Sequence, residues 1–283
     1  MKKNQKSVYE IVTDRIIEQL ENGVVPWRRP WINGGAVNWK SQKPYRGINT
    51  FLLPAGEYAT YKQIAESGGK IKPKEMKKAH IIVFWKWLKN EDEESGEIIE
   101  IPYLRYYRVY EINTQVEGLN SKREAQTFDH NPIEKAEKIY KGYLNSPKFT
   151  FYSGQAVYYP TVDRINCPPL KDFINPEEYY STLFHEMVHS TGHKSRLNRK
   201  GITTENVAFG DEVYSKEELV AEMGAAMLCG VAGIDNCTIQ NSASYIQSWL
   251  RSLKEDSRLV VQAAGQAQKA ADFILGNKMD IDT

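Results

Sequence analysis

The chain has 283 residues, of which 41% are hydrophobic and 26% charged, with a net charge of +1. That is enough for one large globular domain or two ordinary ones. No run approaches the ~20 consecutive apolar residues of a membrane helix. The basic start, Met1 to Lys6, is not followed by the apolar core of a signal peptide. A cytoplasmic protein without a membrane partner is expected.

The three cysteines, Cys167, Cys229 and Cys237, form no C-x-x-C pair and read as reduced and structural. The small net charge hides an asymmetry. Residues 1–90 hold 17 Lys/Arg against 7 Asp/Glu, whereas the rest hold 20 against 29. Five of the six tryptophans also fall in the first 90 residues. A basic, aromatic-rich half joined to an acidic half predicts two domains with different partners.

In chain order, Ser7-Val8-Tyr9-Glu10 is a capping box opening an amphipathic helix, with Val8, Ile11, Val12, Ile16 and Leu20 as its buried stripe. Asn22-Gly23 ends it. An irregular basic-aromatic stretch follows, from Val25 to Trp31 and again from Asn38 to Arg46. Gly47 to Leu53 and Thr60 to Glu66 predict two short helices, the second closed by Gly68-Gly69. His80 to Leu88 and Ile98 to Ile112 are strands of a long hairpin around an acidic turn. The N-terminal domain is thus α+β.

Gly118 to Asn131 is polar and marks a boundary, giving domains 1–125 and 126–283. Pro132 to Leu144 predicts a helix, and residues 149–165 a strand, a turn and a strand. By analogy with zincins, that segment would lie beside the metal helix and pair with a peptide substrate. The C-terminal domain is otherwise helical, with one helix from Lys216 to about Gly230 and two more around Tyr245–Leu253 and Val260–Ile274.

The C-terminal half is organised around His185-Glu186-Met187-Val188-His189, an H-E-x-x-H string. On a helix, residues i and i+4 share one face, so both imidazoles can reach one metal ion, with Glu186 beside them as general base. Asn175-Pro176-Glu177-Glu178 reads as the N-cap, and Gly192 as the end, of that helix. A catalytic site needs a third protein ligand. His193 comes too early after His189 for the metzincin spacing. Glu218 and Glu222, one turn apart on a downstream helix, resemble the gluzincin arrangement. Glu218 is the favoured ligand, with Glu222 supporting a histidine from behind or taking the ligand position itself. Ser215-x-x-Glu218 can also be read as a capping box, which would free Glu222 for that position. Tyr214 is a candidate hydrogen-bond donor to an oxyanion. Zinc (Zn2+) is the default metal for a His/His/Glu donor set, and Mn2+ or Co2+ are alternatives.

In the basic half, flat rings can stack on bases while lysines and arginines neutralise phosphates. Trp27, Arg28, Arg29, Trp31, Trp39, Lys40, Lys43, Tyr45 and Arg46 are the candidate DNA-binding residues, with Trp85-Lys86-Trp87 in the same style. The alternative places the tryptophans in the core.

Both halves resemble the ArdC-type antirestriction family of plasmid-encoded proteins. The N-terminal resemblance is carried by Thr13 to Ile17, Gly23 to Trp27, Pro44 to Asn49 and Asn113 to Gln115. The C-terminal one is carried by Asp163 to Ile165, His185 to His193, Arg196-Leu197, Glu217 to Glu222 and Tyr245 to Leu250. The resemblance implies a single-stranded-DNA-binding domain, a zincin-like metallopeptidase domain with a divalent metal, and protection of incoming plasmid DNA from restriction. It leaves open a DNA-recruited metalloprotease with a DNA-bound protein as substrate, and a non-enzymatic shield with a structural metal.

Overall fold

The computed structural model describes residues 6–22, 25–28, 35–91, 98–123, 132–203, 212–234 and 242–277. Helix α1 (Val8–Glu21) makes the expected capping box: Glu10 N donates to Ser7 Oγ at 3.2 Å, and Ser7 N to Glu10 Oε2 at 2.6 Å. A single 3-10 turn (Pro26–Arg28) follows. Then come β1 (Ala36–Asn38), α2 (Asn49–Leu52), β2 (Gly56–Thr60), α3 (Tyr61–Glu66) and β3 (Lys70–Ile71). The hairpin strands are β4 (His80–Glu91) and β5 (Ile98–Glu111), followed by α4 (Ile112–Gln115) and β6 (Val116–Glu117).

The main sheet runs β1-β2-β5-β4, and β3 pairs with β6 separately. β4 and β5 pair antiparallel, with Ile82 opposite Tyr107 and Phe84 opposite Arg105. Alternation along a strand sends neighbours to opposite faces. Ile81, Val83 and Leu104 enter the main core, while Ile82 and Val109 join Leu53 and Tyr58 in a small cluster on the other face. β4 is an edge strand, and the Asn49 side chain covers part of that edge. Its amide donates to Val83 O and accepts from Val83 N, both at 2.7 Å. β1, β2, β3 and β6 are strands that no hydrophobic alternation announces, being only two to five residues long.

The second half contains α5 (Pro132–Gly142), β7 (Lys148–Thr150), β8 (Val157–Tyr159), β9 (Arg164–Asn166), α6 (Pro176–Thr191), α7 (Lys200–Thr203), α8 (Glu212–Ala232), α9 (Ser242–Glu255) and α10 (Leu259–Leu275). The expected strand–turn–strand segment is three short strands in the order β7-β9-β8. α8 starts before Lys216, so Ser215 lies inside the helix and the capping-box reading of Ser215 and Glu218 does not hold. α6, α8 and α10 form a bundle whose seams use small residues: Ala263, Ala264, Ala267, Ala270 and Ala271 are buried on α10. At the α6–α8 crossing, a Cβ on Gly224 would lie 2.8 Å from Val188, so glycine allows the close approach.

The two halves share one core. Val12, Ile16, Trp27, Phe51, Ile81 and Leu104 belong to the same apolar cluster as the α6, α8 and α10 side chains. The Trp27 ring lies 6.2 Å from Phe51 and 5.4 Å from Trp249. Thr13 Oγ1 donates to Ser257 O at 2.6 Å, and Arg46 pairs with Asp272 on α10. The fold is α+β. Among the described residues, no helix is long and apolar enough to cross a membrane.

Candidate functional site

α6 begins as its sequence dictates: Asn175 Oδ1 accepts from Glu178 N at 2.8 Å, with Pro176 in the first turn. From Tyr179 to Thr191 every residue is buried, which leaves the histidines facing protein rather than water. The helix ends at Gly192, but not in the left-handed conformation usual for a terminal glycine, since φ is −73°. Glycine is needed there for space. A Cβ would lie 2.5 Å from Ile202 Cγ1 and 3.1 Å from Arg199 Nη2.

On α6, His185 Nε2 and His189 Nε2 lie 3.1 Å apart. α8 brings Glu218 against them, its two oxygens 3.5 Å from His185 Nε2 and 3.3 Å from His189 Nε2. One ligand atom from each of these three residues falls within 4.8 Å of the others. Glu222, one turn on, lies behind His185, 3.7 Å from Nδ1. His193 points elsewhere, with its Nδ1 2.8 Å from Ser195 Oγ. Glu186 is buried like its neighbours.

Sequence reasoning missed Glu217 and Arg199. Glu217 Oε1 lies 3.3 Å from His189 Nδ1, doing for His189 what Glu222 does for His185. Arg199 grips Glu217 with a fork, Nε to Oε2 at 3.0 Å and Nη2 to Oε1 at 2.6 Å. The same guanidinium donates to Thr191 Oγ1 at 2.6 Å and Val188 O at 2.8 Å. The available signal was the double glutamate before Leu219, since adjacent helical positions diverge by about 100° and can address two different groups.

The electrostatics favour a cation here. Burial disfavours charge on both imidazoles, yet Glu218, with Glu222 at His185 and Glu217 at His189, overcomes it and raises both, His189 well above its usual value. Burial likewise opposes the Glu218 carboxylate, but His189 and His185 hold it well below the ordinary range. A buried donor set that stabilises positive charge at its meeting point fits a divalent metal. Cys167 is a bystander: burial and the nearby Glu186 carboxylate push its thiol up to about 12, so it stays protonated.

A second polar network holds the small sheet on α6. Arg196 donates to Ser190 O at 2.7 Å and forks onto Asp163, while Tyr158 donates to Asp163 at 2.8 Å.

The candidate DNA-binding residues scatter. Trp27 has no exposed surface and Trp39 only 8%, its indole N–H donating to Asn120 O at 2.9 Å. Neither ring offers a face to a base, because each is a core side chain. Arg46 is committed to Asp272, and Tyr45 packs edge-on against Tyr58. Lys40 and Lys43 are exposed, Lys40 within 3.3 Å of Glu66. Arg29 and Trp31 lie outside the described residues, as do the side chains of Arg28, Trp85, Lys86, Trp87 and Tyr214. Among the described rings of the N-terminal half, Tyr61 at the start of α3 is 64% exposed, and Phe84, Tyr107 and Tyr106 on the hairpin are 48%, 43% and 39% exposed.

Comparison with known proteins matches a different family to each part of the chain. Residues 6–110 match the N-terminal domain of anti-restriction factor ArdC, and residues 134–266 match the zincin-like metallopeptidase family. A DNA primase TraC of Escherichia coli is 34% identical over 96% of this chain, which spans only 27% of that relative's length. Two crystal structures of the antirestriction ArdC protein from plasmid R388 share the fold. The metal-free one has a TM-score of 0.75 at 35% identity, covering 96% of this chain and 98% of that one. The Mn(II)-bound one has a TM-score of 0.76 at 34% identity, covering 98% and 100%. With both matched regions in order and near-complete structural coverage, the chain belongs to the ArdC-type antirestriction family.

Proposed function

We propose that this protein binds single-stranded DNA through its N-terminal half and holds a divalent metal at His185, His189 and Glu218, in the service of protecting incoming DNA from restriction. The convergence of those three ligand atoms within 4.8 Å, from two different helices, carries the metal assignment. Zinc suits two imidazoles and a carboxylate, and the Mn(II)-bound relative supports manganese as an alternative occupant. The excess of Lys/Arg over Asp/Glu in residues 1–90 and the family match support the DNA reading.

His185 and His189 would bind through Nε2, and Glu218 through a carboxylate oxygen. A bound divalent ion would act as a Lewis acid, lowering the pKa of a water toward ~7. Glu186, beside His185 on the same helix, would take a proton from that water and pass it to a leaving amine. Glu217 would accept from His189 Nδ1–H, which would leave the Nε2 lone pair available to hold a metal ion. Glu222 stands behind His185 Nδ1 for the same purpose.

Glu186→Gln should retain metal and DNA binding and lose peptide hydrolysis. His185→Ala should lose metal stoichiometry by elemental analysis. Unchanged metal content in His185→Ala would remove the site. Full antirestriction by Glu186→Gln, with no peptidase activity in the unaltered protein, would leave the metal a structural role.

A further inference from the structure

Resting on the single-stranded-DNA reading, we infer that the strand stacks on the solvent face of the β4–β5 hairpin, on the rings of Phe84 and Tyr107 with Arg105 alongside.

Four observations meet there. Phe84 and Tyr107 are large apolar rings left half in water, at 48% and 43% exposure. They are diagonal neighbours across the hairpin, with ring centroids 6.0 Å apart in an edge-to-face pair. Arg105 is exposed and stands directly opposite Phe84 in the strand register, on the same face. The face continues toward the body of the protein through Ile82 to Tyr58, on which Tyr45 rests, and two residues before Tyr45 the chain carries the exposed Lys43.

The chemistry selects a single strand over the other occupants. Exposed rings on a protruding sheet face offer stacking, which every base can use once it is out of a duplex. A cation beside the rings answers phosphate, and residues 1–125, the hairpin included, hold 21 Lys/Arg against 16 Asp/Glu. The tryptophans that sequence alone favours cannot serve, since Trp27 and Trp39 are buried. Their burial leaves Phe84 and Tyr107 as the exposed ring pair on this face of the main sheet; Tyr106, 39% exposed, lies on the opposite face.

The cross-strand pair also stabilises the hairpin, so the test separates the roles. Phe84→Ile and Tyr107→Ile keep strand propensity and apolar bulk but remove the flat π face. In fluorescence anisotropy with a labelled oligothymidine, each should weaken binding by about tenfold, and the double variant by more than either alone. Far-UV circular dichroism and Mn(II) affinity should stay unchanged. Phe84→Trp should retain binding. Arg105→Gln should reduce the slope of log affinity against log salt by about 0.7, one phosphate contact. Oligothymidine binding by the double isoleucine variant at full strength, while the unaltered protein binds, overturns the placement. Failure of the unaltered protein to bind any single strand overturns the underlying DNA reading instead. Equal affinity for a duplex of the same length overturns the preference for single strands.

Discussion

Glu217 offers the sharpest test of how the proposed metal centre is held. Glu217→Ala removes the acceptor 3.3 Å from His189 Nδ1 and the counter-charge gripped by Arg199 at 2.6 and 3.0 Å. Both ionised partners are buried, with side chains 6% and 7% exposed. Leaving a buried guanidinium unpaired costs about 3–5 kcal/mol. Losing the group that orients a histidine ligand weakens metal binding by about 10–100-fold. The two effects come apart in Arg199→Met/Glu217→Met. Apolar replacement of a whole buried pair is often close to neutral for stability, so this double variant should regain most of the stability lost by Glu217→Ala. It should not regain metal affinity, because His189 Nδ1 still has no acceptor there. Urea unfolding reads the first quantity, and competition of Mn(II) or Zn(II) against a chromophoric chelator reads the second. Metal affinity returning together with stability would show that Glu217 is only a packing element and refute the orienting role.

Gly192→Ala should cost about 1–3 kcal/mol in urea unfolding, because the new methyl meets Ile202 at 2.5 Å. Ile202→Ala in the same chain should restore part of the loss; no rescue would mean the glycine is required for another reason. Asp163 should contribute to acid sensitivity. Burial opposes its charge, but the hydrogen bonds from Arg196 and Tyr158 and the Arg196 charge overcome this and depress its pKa below the ordinary 3.8. A depressed carboxylate stabilises the fold above its unfolded value and loses that contribution as pH falls through the folded one. The gap in urea midpoint between the unaltered protein and Asp163→Asn should therefore be full near neutrality and shrink as pH drops below about 4. A gap independent of pH would contradict this.

The sequence is most legible where one residue's chemistry and spacing suffice. The capping box at Ser7, the short helix from Thr60, the Asn175 cap and the two imidazoles on α6 all appear as expected. Glu218 was identifiable because its partner helix repeats a familiar layout, and the geometry brings it to both histidines. Glu217 and Arg199 were hidden because their role depends on the crossing of α8 over α6 and on the path of the chain after Gly192. Neither is a local property. Trp27 and Trp39 were open to two readings for a related reason. A tryptophan beside arginines looks the same in sequence whether its ring faces solvent or core, and only tertiary packing separates Trp27 from Phe84. The short strands β1, β2, β3 and β6 also owe their existence to neighbours rather than to their own alternation.

The core that runs from α1 and Trp27 into α8, α9 and α10 bears on how this architecture can be inherited. Two modules joined by a tether can be exchanged one at a time. Here the separation of the halves would expose Trp27, Phe51 and Trp249 together and unpair Arg46 from Asp272. Recombination that splits the chain is penalised by folding itself, so the combination should travel as one block. The primase relative fits this expectation, carrying the counterpart of 96% of the chain within roughly a quarter of its own length.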